Sequence, residues 1–335
     1  MSHVHPTIRR GATRARRVRP RHRAALLACA SALLVSACAP AARLRAGPGP
    51  EPVGAIARHV IVVSVDGLRP DAIERYGALT IQRLVREGRA TMDARTVMPS
   101  LTLPSHTSML TGVTPDVHGI SWNDDQVEGR GLVTVPTVFG VARAHGVETA
   151  AFFGKAKFRH LMVPETLDYA QAPTGWWGRW SARRTVDDLR AYLAAGARPE
   201  LLFVHIGEPD FAGHTGGWMT WLYGRAVRRA DEAVRDILVA ADAAYGVGEY
   251  TVLLTADHGG SGRTHGSAHV DDVTIPWIAW GAGVVPGPAP LEVRTTDTAA
   301  TALWLLGIVV PEGWDGEPVV EAFGGEPAET PPGRI

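Results

Sequence analysis

The sequence predicts an α/β fold in which a mostly parallel central sheet is flanked by helices on both faces. Two observations lead to this prediction: short β-branched runs alternate with helical patterns from His59 onward, and those runs are apolar throughout. Alternating strands and helices are typical of strand-helix-strand units around a parallel sheet. Continuous apolarity indicates strands that helices cover on both faces. With 335 residues, 45% hydrophobic and 20% charged, the chain is long enough for one large domain or two small ones.

Five runs are the strand candidates. In chain order they are VIVVSV (60–65), TAAFF (149–153), LLFVHI (201–206), TVLLT (251–255) and TIPWIAW (274–280). Between the third and fourth runs, residues 223–241 carry apolar side chains at helical spacing and charged side chains on the other face, which predicts an amphipathic surface helix. A last helix is predicted at about 297–306, before a polar tail with Gly and Pro.

The N-terminal segment has the pattern of an export signal. Eight arginines and no acidic residue precede Cys38. The apolar run 24–37 is too short to cross a bilayer but has the length of a signal-peptide core. It ends in Val-Ser-Ala-Cys, which resembles the lipobox of bacterial lipoproteins, where the cysteine becomes the acylated N-terminus. Removal of the signal would leave Cys38 as the only thiol, so no disulfide could use it.

We therefore divide the chain into four parts. The expected parts are a lipoprotein signal peptide (1–37), a flexible tether rich in Pro, Gly and Ala (38–57), the folded domain (58–325) and a flexible tail (326–335). The protein would be exported and held at a membrane by a lipid on Cys38. A plain secretory signal cleaved near Ala37 is the alternative.

The charge of the chain after the signal argues against one class of partner. The formal net charge is zero, but the arginines of the signal account for eight of the 34 basic groups, which leaves 26 basic against 34 acidic groups. A body with this acidic excess is a poor ligand for a nucleic-acid polymer, because binding to a polymer requires a basic surface. Small phosphorylated substrates stay compatible with it where metal ions supply local positive charge.

Carboxylate and imidazole side chains follow the predicted strands, where ligand sites form in open α/β sheets. Six residues have this placement: Asp66, Asp210, His214, Asp257, His258 and His265. Taken singly, an Asp after a strand is usually a turn former or helix cap, and a lone His is usually structural. Together, three carboxylates and three imidazoles give two sets of donors that suit a pair of zinc-like ions.

A threonine lies in the segment MPSLTLPSH (98–106). Because Pro104 suits the first turn of a helix, Thr102 is expected just ahead of the free N–H groups of that helix. A hydroxyl there can coordinate a metal, lose its proton and attack phosphorus. A plain helix cap is the alternative, and the metal-ligand pattern favours the nucleophile.

The order of the blocks VDGLRPD, MPSLTLPSHTSMLTGVTPDVHGI, EPDFAGH, TADHGG and THGS resembles the alkaline phosphatase superfamily, and within it the nucleotide pyrophosphatase/phosphodiesterase branch. The resemblance, from about 59 to 323, implies an alkaline-phosphatase-like fold and a phosphodiesterase-like hydrolase that forms a phospho-threonine intermediate on Thr102. It implies two divalent metal ions, zinc with manganese as the alternative, and it places Asn123 against a phosphate oxygen. The implied ligands are Asp210, His214 and His265 for one ion, and Asp66, Thr102, Asp257 and His258 for the other.

Two departures from that family leave the substrate open. Only six residues separate His258 from His265, so the long insertion of the nucleotide-cleaving members, a large cap, is missing. Leu103 also stands where those enzymes place an aromatic that stacks on a base. The expected partner is therefore a small phosphorylated substrate with an unassigned leaving group. Five tryptophans either line a replacement cleft or pack in the core: Trp176, Trp177, Trp180, Trp218 and Trp221.

Three other functions remain as alternatives. An alkaline phosphomonoesterase would use Lys157 and Arg159. These residues resemble a Lys-x-Arg pair that, in one branch of the superfamily, binds the additional negative charge of a phosphate monoester. The plainer interpretation of the pair is a solvated basic turn. A sulfatase is disfavoured because Thr102 stands where such enzymes carry a cysteine that becomes formylglycine. An inactive surface lipoprotein that binds metal and acts as a scaffold is the alternative from another class. The oligomeric state stays open.

Overall fold

An eight-stranded sheet runs through the centre of the domain in the computed structural model, which describes residues 54–174, 179, 181–288 and 292–325. The strands are β1 (Val60–Val65), β2 (Arg89–Arg95), β3 (Thr149–Phe152), β4 (Tyr169–Gln171), β5 (Leu201–Ile206), β6 (Thr251–Thr255), β7 (Thr274–Gly281) and β8 (Gly287–Pro288). Their order across the sheet is β4-β3-β5-β1-β6-β7-β2-β8. Only the β6–β7 and β2–β7 pairs in this sheet are antiparallel, which confirms a mostly parallel sheet.

Helices flank this sheet. They are α1 (Pro70–Arg75), α2 (Leu79–Glu87), α3 (Thr102–Thr111), α4 (Pro115–His118), α5 (Val127–Arg130), α6 (Val138–Ala144), α7 (Ala182–Ala194), α8 (Glu208–Gly216), α9 (Trp221–Tyr245), α10 (Val270–Val273) and α11 (Asp297–Leu305). Short 3-10 helices lie at Ala156–Leu161 and Val320–Phe323. In the part of the chain that the structure describes, no helix combines the length and apolarity needed to cross a membrane.

The central strands behave as their composition predicts. Every residue of β1, β5 and β6 is buried, as expected for strands covered on both faces. All five predicted strands are present, with β3 one residue shorter than its apolar run and β7 one residue longer. The sequence did not predict β2, β4 and β8. In β2, RATMDAR, charged side chains interrupt the apolar pattern because the strand lies near one edge of the sheet, between β7 and β8.

Helix α9 confirms the predicted amphipathic helix and extends it at both ends. It begins at Trp221, after the Thr220 side chain accepts the N–H of Tyr223, and it continues for 25 residues. The predicted last helix is α11. Ordered contacts begin within the last residues assigned to the tether, because the N–H groups of Ile56 and Ala57 both donate to the carbonyl of Leu305.

Several sequence-based predictions fall outside the described residues. They are the signal peptide (1–37), Cys38, the tether up to residue 53, the tail (326–335), and the tryptophans Trp176, Trp177 and Trp180.

The N-terminus of α2 depends on a side chain from a distant helix. Ala78 precedes α2 and has no side chain that can accept its free N–H groups. Asp231 of α9 supplies both acceptors, at 2.8 Å from the N–H of Ile81 and 3.1 Å from that of Thr80. A carboxylate at this position also complements the positive end of the helix dipole. Asp231 therefore joins α2 to α9.

We expect Asp231→Ala to lower the free energy of unfolding by about 1 to 3 kcal/mol, because it removes a buried, charged acceptor from two N–H groups at a helix start. Urea unfolding followed by circular dichroism measures the change. Asp236→Ala is the matched control, since Asp236 lies on the same helix and pairs only with its exposed neighbour Arg235. Equal losses in the two variants would contradict the capping role.

Candidate active site

Three carboxylates meet at the carboxyl ends of the central strands. Asp66 directly follows β1, Asp210 lies in the first turn of α8 after β5, and Asp257 lies two residues beyond β6. Because β5, β1 and β6 are neighbours in the sheet, these three ends lie side by side. All three side chains are buried, and the N–H of Asp210 donates to the carbonyl of Asp66 at 3.0 Å. The sheet order therefore brings together the acids that the sequence singled out.

The close approach of α8 to the end of β1 requires a glycine. Gly67 has φ +72°, and a Cβ at this position would lie 2.9 Å from the Cα of Asp210. The N–H of Gly67 also donates to Oδ1 of Asp257 at 3.1 Å. A larger residue would be strained by its backbone conformation and would push Asp210 away from the other two acids.

The three candidate imidazoles present the same nitrogen to the cluster. Each Nδ1 faces a main-chain carbonyl, which only accepts, so Nδ1 carries the proton and Nε2 is left with its lone pair. The carbonyls are those of Gly259 for His258 at 2.8 Å, Ser100 for His265 at 2.8 Å, and Arg263 for His214 at 3.0 Å. The Nε2 atoms of His214 and His265 lie 3.1 Å apart. Two lone pairs at this distance favour a cation between them.

Each carboxylate is satisfied on one side only. Asp66 Oδ2 accepts from Lys155 Nζ at 2.6 Å and from His205 Nε2 at 2.9 Å, and Asp210 Oδ2 accepts from the same Nζ at 2.6 Å. Among the described residues, the opposite atoms, Asp66 Oδ1, Asp210 Oδ1 and Asp257 Oδ2, have no hydrogen-bond partner. They face imidazole nitrogens instead. Buried polar atoms without partners are uncommon and point to an ion or ligand.

Two groups of these side chains can hold a metal ion. They are Asp210 with His214 and His265, and Asp66 with Asp210 and His258, with ligand atoms within 4.8 Å of one another in each group. Asp257 is close to the second group, because its Oδ2 lies 3.2 Å from Nε2 of His258. Imidazole nitrogen and carboxylate oxygen are donors that zinc accepts in proteins. The donor set thus fits divalent cations.

The charges of the cluster are set by these contacts. Burial opposes the ionisation of Asp66, but Lys155 and His205 outweigh it and hold the pKa of Asp66 well below its ordinary value. Burial lowers the pKa of both His205 and His265 to about 4, so their imidazoles are neutral near pH 7. The neighbouring carboxylate of Asp210 raises the pKa of His214. The side chains of the cluster are therefore acidic and rich in lone pairs.

Thr102 lies against this cluster, with its Oγ1 3.3 Å from Nε2 of His258. Free N–H groups were expected in the first turn of the helix that follows Thr102, and the structure differs from this expectation in one respect. Thr102 is itself the first residue of α3, and the N–H of Leu103 donates to Oδ1 of Asn123 at 2.9 Å. Pro104, the third helical residue, has no N–H. The positive end of the helix dipole remains at Thr102, but part of its N–H capacity is already used.

Asn123 is brought next to Thr102 by the same hydrogen bond. Its Oδ1 accepts the N–H of Leu103, and its amide Nδ2 has no protein partner among the described residues. An amide fixed through its oxygen presents its N–H₂ group to a ligand. The loop that carries Asn123 is held by His160, which accepts the N–H of Gln126 at 3.1 Å.

Lys157 and Arg159 have different surroundings. Burial and the neighbouring Lys155 lower the pKa of Lys157 to about 8, and the negative charges of Asp66 and Asp210 offset part of this lowering. The guanidinium of Arg159 pairs at the surface with Asp125 at 2.7 Å and with Glu128 at 3.5 Å. The structure therefore does not present the two side chains as a joint grip on one phosphate.

Sequence reasoning missed three side chains that contact the cluster: Lys155, His106 and His205. Lys155 bridges two of the acids, and His205 donates to Asp66. His106 connects β1 to the start of α3, with Nε2 2.8 Å from Oγ of Ser64 and Nδ1 2.8 Å from the carbonyl of Thr102. One compositional signal could have revealed Lys155: lysine occurs only at positions 155 and 157, although the chain has 34 basic groups.

The surroundings of Trp218, Trp221 and Leu103 bear on whether aromatic side chains line a substrate cleft. Trp218 is buried between Gly213 and Gly260, where an added Cβ would meet its ring at 2.5 Å and 2.3 Å, and its Nε1 donates to the carbonyl of Gly67 at 3.0 Å. It therefore packs under the site. Trp221 is 69% exposed. Leu103 is fully buried and offers no face on which a base could stack.

Comparison with known families agrees with this arrangement. Residues 60–274 match the family described as type I phosphodiesterase / nucleotide pyrophosphatase, which confirms the family expected from the sequence blocks. GPI ethanolamine phosphate transferase 1 of Gibberella zeae is 23% identical over 295 residues, 74% of this chain and 29% of that protein. Bis(5'-adenosyl)-triphosphatase enpp4 of Xenopus laevis is 31% identical over 75 residues, 22% of this chain and 17% of that protein. The chain spans about a third or less of the length of these relatives.

Solved structures share the fold. Human ectonucleotide pyrophosphatase / phosphodiesterase 5 superposes with a TM-score of 0.66 at 14% identity, over 80% of this chain and 100% of that chain. A putative sulfatase from Bacteroides thetaiotaomicron gives a TM-score of 0.66 at 17% identity, over 82% of this chain and 76% of that chain. These likenesses confirm the alkaline-phosphatase-like fold.

His118 anchors the far end of α3 and makes it sensitive to acid. Its Nδ1 accepts the N–H of Ile120 at 3.1 Å, so Nε2 carries the proton and donates to Oγ of Ser108 at 3.0 Å. Burial lowers the pKa of His118 to about 4. The imidazole of His118 binds a proton below pH 6.5 in the unfolded chain but only below about pH 4 in the folded chain. The stability contributed by neutral His118 is therefore complete above pH 6.5 and is lost as the pH falls towards 4.

We expect the free energy of unfolding of the wild-type protein to fall between pH 7 and pH 4.5, with roughly 1 to 2 kcal/mol of the loss due to His118. In His118→Gln that share of the pH dependence should disappear. Urea unfolding of both proteins at the two pH values measures it. An identical loss in wild type and variant would rule out His118 as the source.

Proposed function

The chain belongs to the type I phosphodiesterase / nucleotide pyrophosphatase family, and on that premise we propose that it is a two-metal hydrolase of phosphate esters with Thr102 as its nucleophile. One observation carries the proposal. Carboxylate oxygens without hydrogen-bond partners and bare imidazole nitrogens face one another over 3.2 to 4.0 Å beside the hydroxyl of Thr102. Burying these atoms without a cation costs free energy, and two divalent ions would remove that cost.

The proposed ligands follow the sets that the family resemblance implies; the first set is the first group of donors, and the second set shares Asp66 and His258 with the second group. Asp210, His214 and His265 would hold one ion, and Asp66, Thr102, Asp257 and His258 would hold the other. Zinc suits these nitrogen and oxygen donors, and manganese is the alternative. When bound, the ions would offset the negative charge of a phosphate group and lower the pKa of hydroxyl groups that they contact.

The residues of the chain would perform two displacements at phosphorus. In the first, Thr102 loses its proton and its Oγ1 bonds to phosphorus while the bond to the leaving-group oxygen breaks, and that oxygen takes up a proton. In the second, water attacks the phospho-threonine and Oγ1 of Thr102 leaves. The free amide of Asn123 would donate to a phosphate oxygen. Such reactions depend chiefly on positioning and charge stabilisation, which a set of side chains held by hydrogen bonds favours.

The leaving group is the open part of the proposal. The buried Leu103 and the six-residue link between His258 and His265 disfavour a nucleoside pocket of the family type. Because several relatives are named GPI ethanolamine phosphate transferase 1, an ethanolamine phosphate diester is a substrate to test. A transferase would differ in one step, since an alcohol would replace water as the group that attacks phospho-Thr102.

A phosphomonoesterase is the second candidate, and one observation favours it. Lys157 lies two residues beyond Lys155, which contacts the acidic cluster, and its charge could offset the extra charge of a monoester. Arg159 would first have to leave Asp125 and Glu128 to assist it.

We also propose that the enzyme acts outside the cytoplasm, held to a membrane by a lipid on Cys38. The signal-like N-terminus and the lipobox-like sequence at 35–38 support this location. Incorporation of labelled fatty acid into the wild-type protein, but not into Cys38→Ala, would test it.

Thr102→Ala should lower kcat by at least roughly a thousandfold, the effect typical of removing a key catalytic group. Steady-state kinetics with a chromogenic phosphate ester measures it. Thr107→Ala is the matched control: Thr107 is a buried threonine of the same helix whose hydroxyl donates to the carbonyl of Leu103. A Thr102→Ala protein with turnover near the wild-type value would end the nucleophile assignment.

A comparison of bis-p-nitrophenyl phosphate with p-nitrophenyl phosphate distinguishes the candidate functions. We expect faster turnover of the diester, and loss of activity against both compounds after chelation, because the cluster would lose the cations that balance the substrate charge. Faster turnover of the monoester would favour the phosphomonoesterase. Bound metal without turnover of either compound, or of an ethanolamine phosphate diester, would favour the inactive scaffold.

A further inference from the structure

The ammonium group of Lys155 occupies a central position between the acids. Its Nζ lies 2.6 Å from Oδ2 of Asp66 and 2.6 Å from Oδ2 of Asp210. The side chain is almost fully buried, with 9% of the residue exposed. Residue 155 has extended backbone immediately before the 3-10 helix Ala156–Leu161, which directs the side chain towards the strand ends. Lys155 is therefore part of the cluster.

No other lysine or arginine of the described residues forms an ion pair with Asp66, Asp210 or Asp257. The other side-chain ion-pair contacts of these acids are with imidazoles, at 2.9 to 4.0 Å. Although burial opposes its charge, Asp210 and Asp66 raise the pKa of Lys155. In the absence of metal, Lys155 is thus the main permanent positive charge among three buried acids.

The two carboxylates that Lys155 joins belong to different proposed ion sites. Asp66 is a ligand of one ion, and Asp210 is a ligand of the other. Lys155 takes the Oδ2 atom of each, which leaves both Oδ1 atoms pointing at the imidazoles and without a hydrogen-bond partner. One ammonium therefore determines which oxygen of each acid is available to a cation.

We propose that Lys155 is a positioning residue that serves as the resident cation of the metal-free centre. It neutralises and holds Asp66 and Asp210, so that the domain folds and keeps its ligand arrangement before any divalent ion binds. The inference rests on the proposed metal centre. It adds that stability without metal depends on this one side chain, whereas stability with metal does not.

The physical basis is the cost of an unpaired buried charge. Removing one partner of a buried ion pair is strongly destabilising, because the other partner keeps its charge without compensation. In Lys155→Met, two carboxylates would be left in that state when metal is absent. When two divalent ions are bound, they compensate the same carboxylates, and the loss of the ammonium matters little. The effect of the substitution should therefore depend on metal.

The test measures the melting temperature of the full-length wild type, Lys155→Met and Lys157→Met, each with excess chelator and with saturating zinc. In chelator we expect Lys155→Met to melt about 5 to 10 °C below wild type, and in zinc within about 2 °C of it. By linkage, zinc should bind the variant at least roughly tenfold more tightly than wild type, as measured by competition with a chromogenic chelator. Lys157→Met is the control with the same substitution two residues away, and its shift should be equal in both conditions.

The outcomes separate this inference from the proposed function. A wild type that neither binds zinc nor changes its melting temperature with zinc refutes the metal centre, and the inference with it. A wild type that binds zinc, together with a Lys155→Met shift that is equal in chelator and zinc, overturns the inference alone. If Lys155→Met is insoluble without metal, recovery of folded protein on refolding with zinc supports the inference, and failure to refold with zinc overturns it. Lys155→Arg, which keeps the charge, should restore part of the stability in chelator.

Discussion

The mutual repulsion of three buried carboxylates is the constraint around which the site is built. Asp66, Asp210 and Asp257 are brought together by neighbouring strands, and each contact around them reduces the cost of that approach. Main-chain carbonyls orient the imidazoles so that their Nε2 atoms face the acids, and Lys155 joins two of the acids. The glycine at position 67 allows the backbones to approach closely enough. The proposed activity and the folding stability would therefore depend on the same balance of charge.

The fold was predictable where burial dominates. Strands covered on both faces are continuously apolar, so β1, β5 and β6 could be found from the sequence with correct boundaries. Strand β2 is half-polar near an edge, and β4 and β8 are only three and two residues long, so their pairing depends on neighbours that are distant in sequence. The packing of the central sheet determines which strands pair with β2, β4 and β8, and the local sequence of these strands does not predict that pairing.

The candidate site was predictable to the extent that it follows the strand ends. The acids and imidazoles were recognisable because polar residues directly after buried strands share one edge of the sheet. The side chains that contact these acids were not recognisable. Lys155 and His205 come from other segments of the chain, and no local sequence pattern predicts such contacts. The same limit applies to Thr102, whose helix start is partly satisfied by an amide about twenty residues later in the chain. The tryptophan at 218 proved to be a buried support, an outcome that composition had left open.

The scarcity of lysine has a consequence for chemical labelling. Apart from the α-amino group, the chain offers only two amines, and both lie on one short segment at the site. Lys155 is enclosed by carboxylates, whereas burial and the charge of Lys155 lower the pKa of Lys157 to about 8, so a substantial fraction of Lys157 is a neutral, nucleophilic amine in mildly alkaline buffer. An amine-directed acylating reagent would therefore attach a spectroscopic reporter two residues from the lysine of the acidic cluster, without any engineered cysteine. Because the chain has no other lysine, the rest of the described domain offers no side-chain amine to such a reagent.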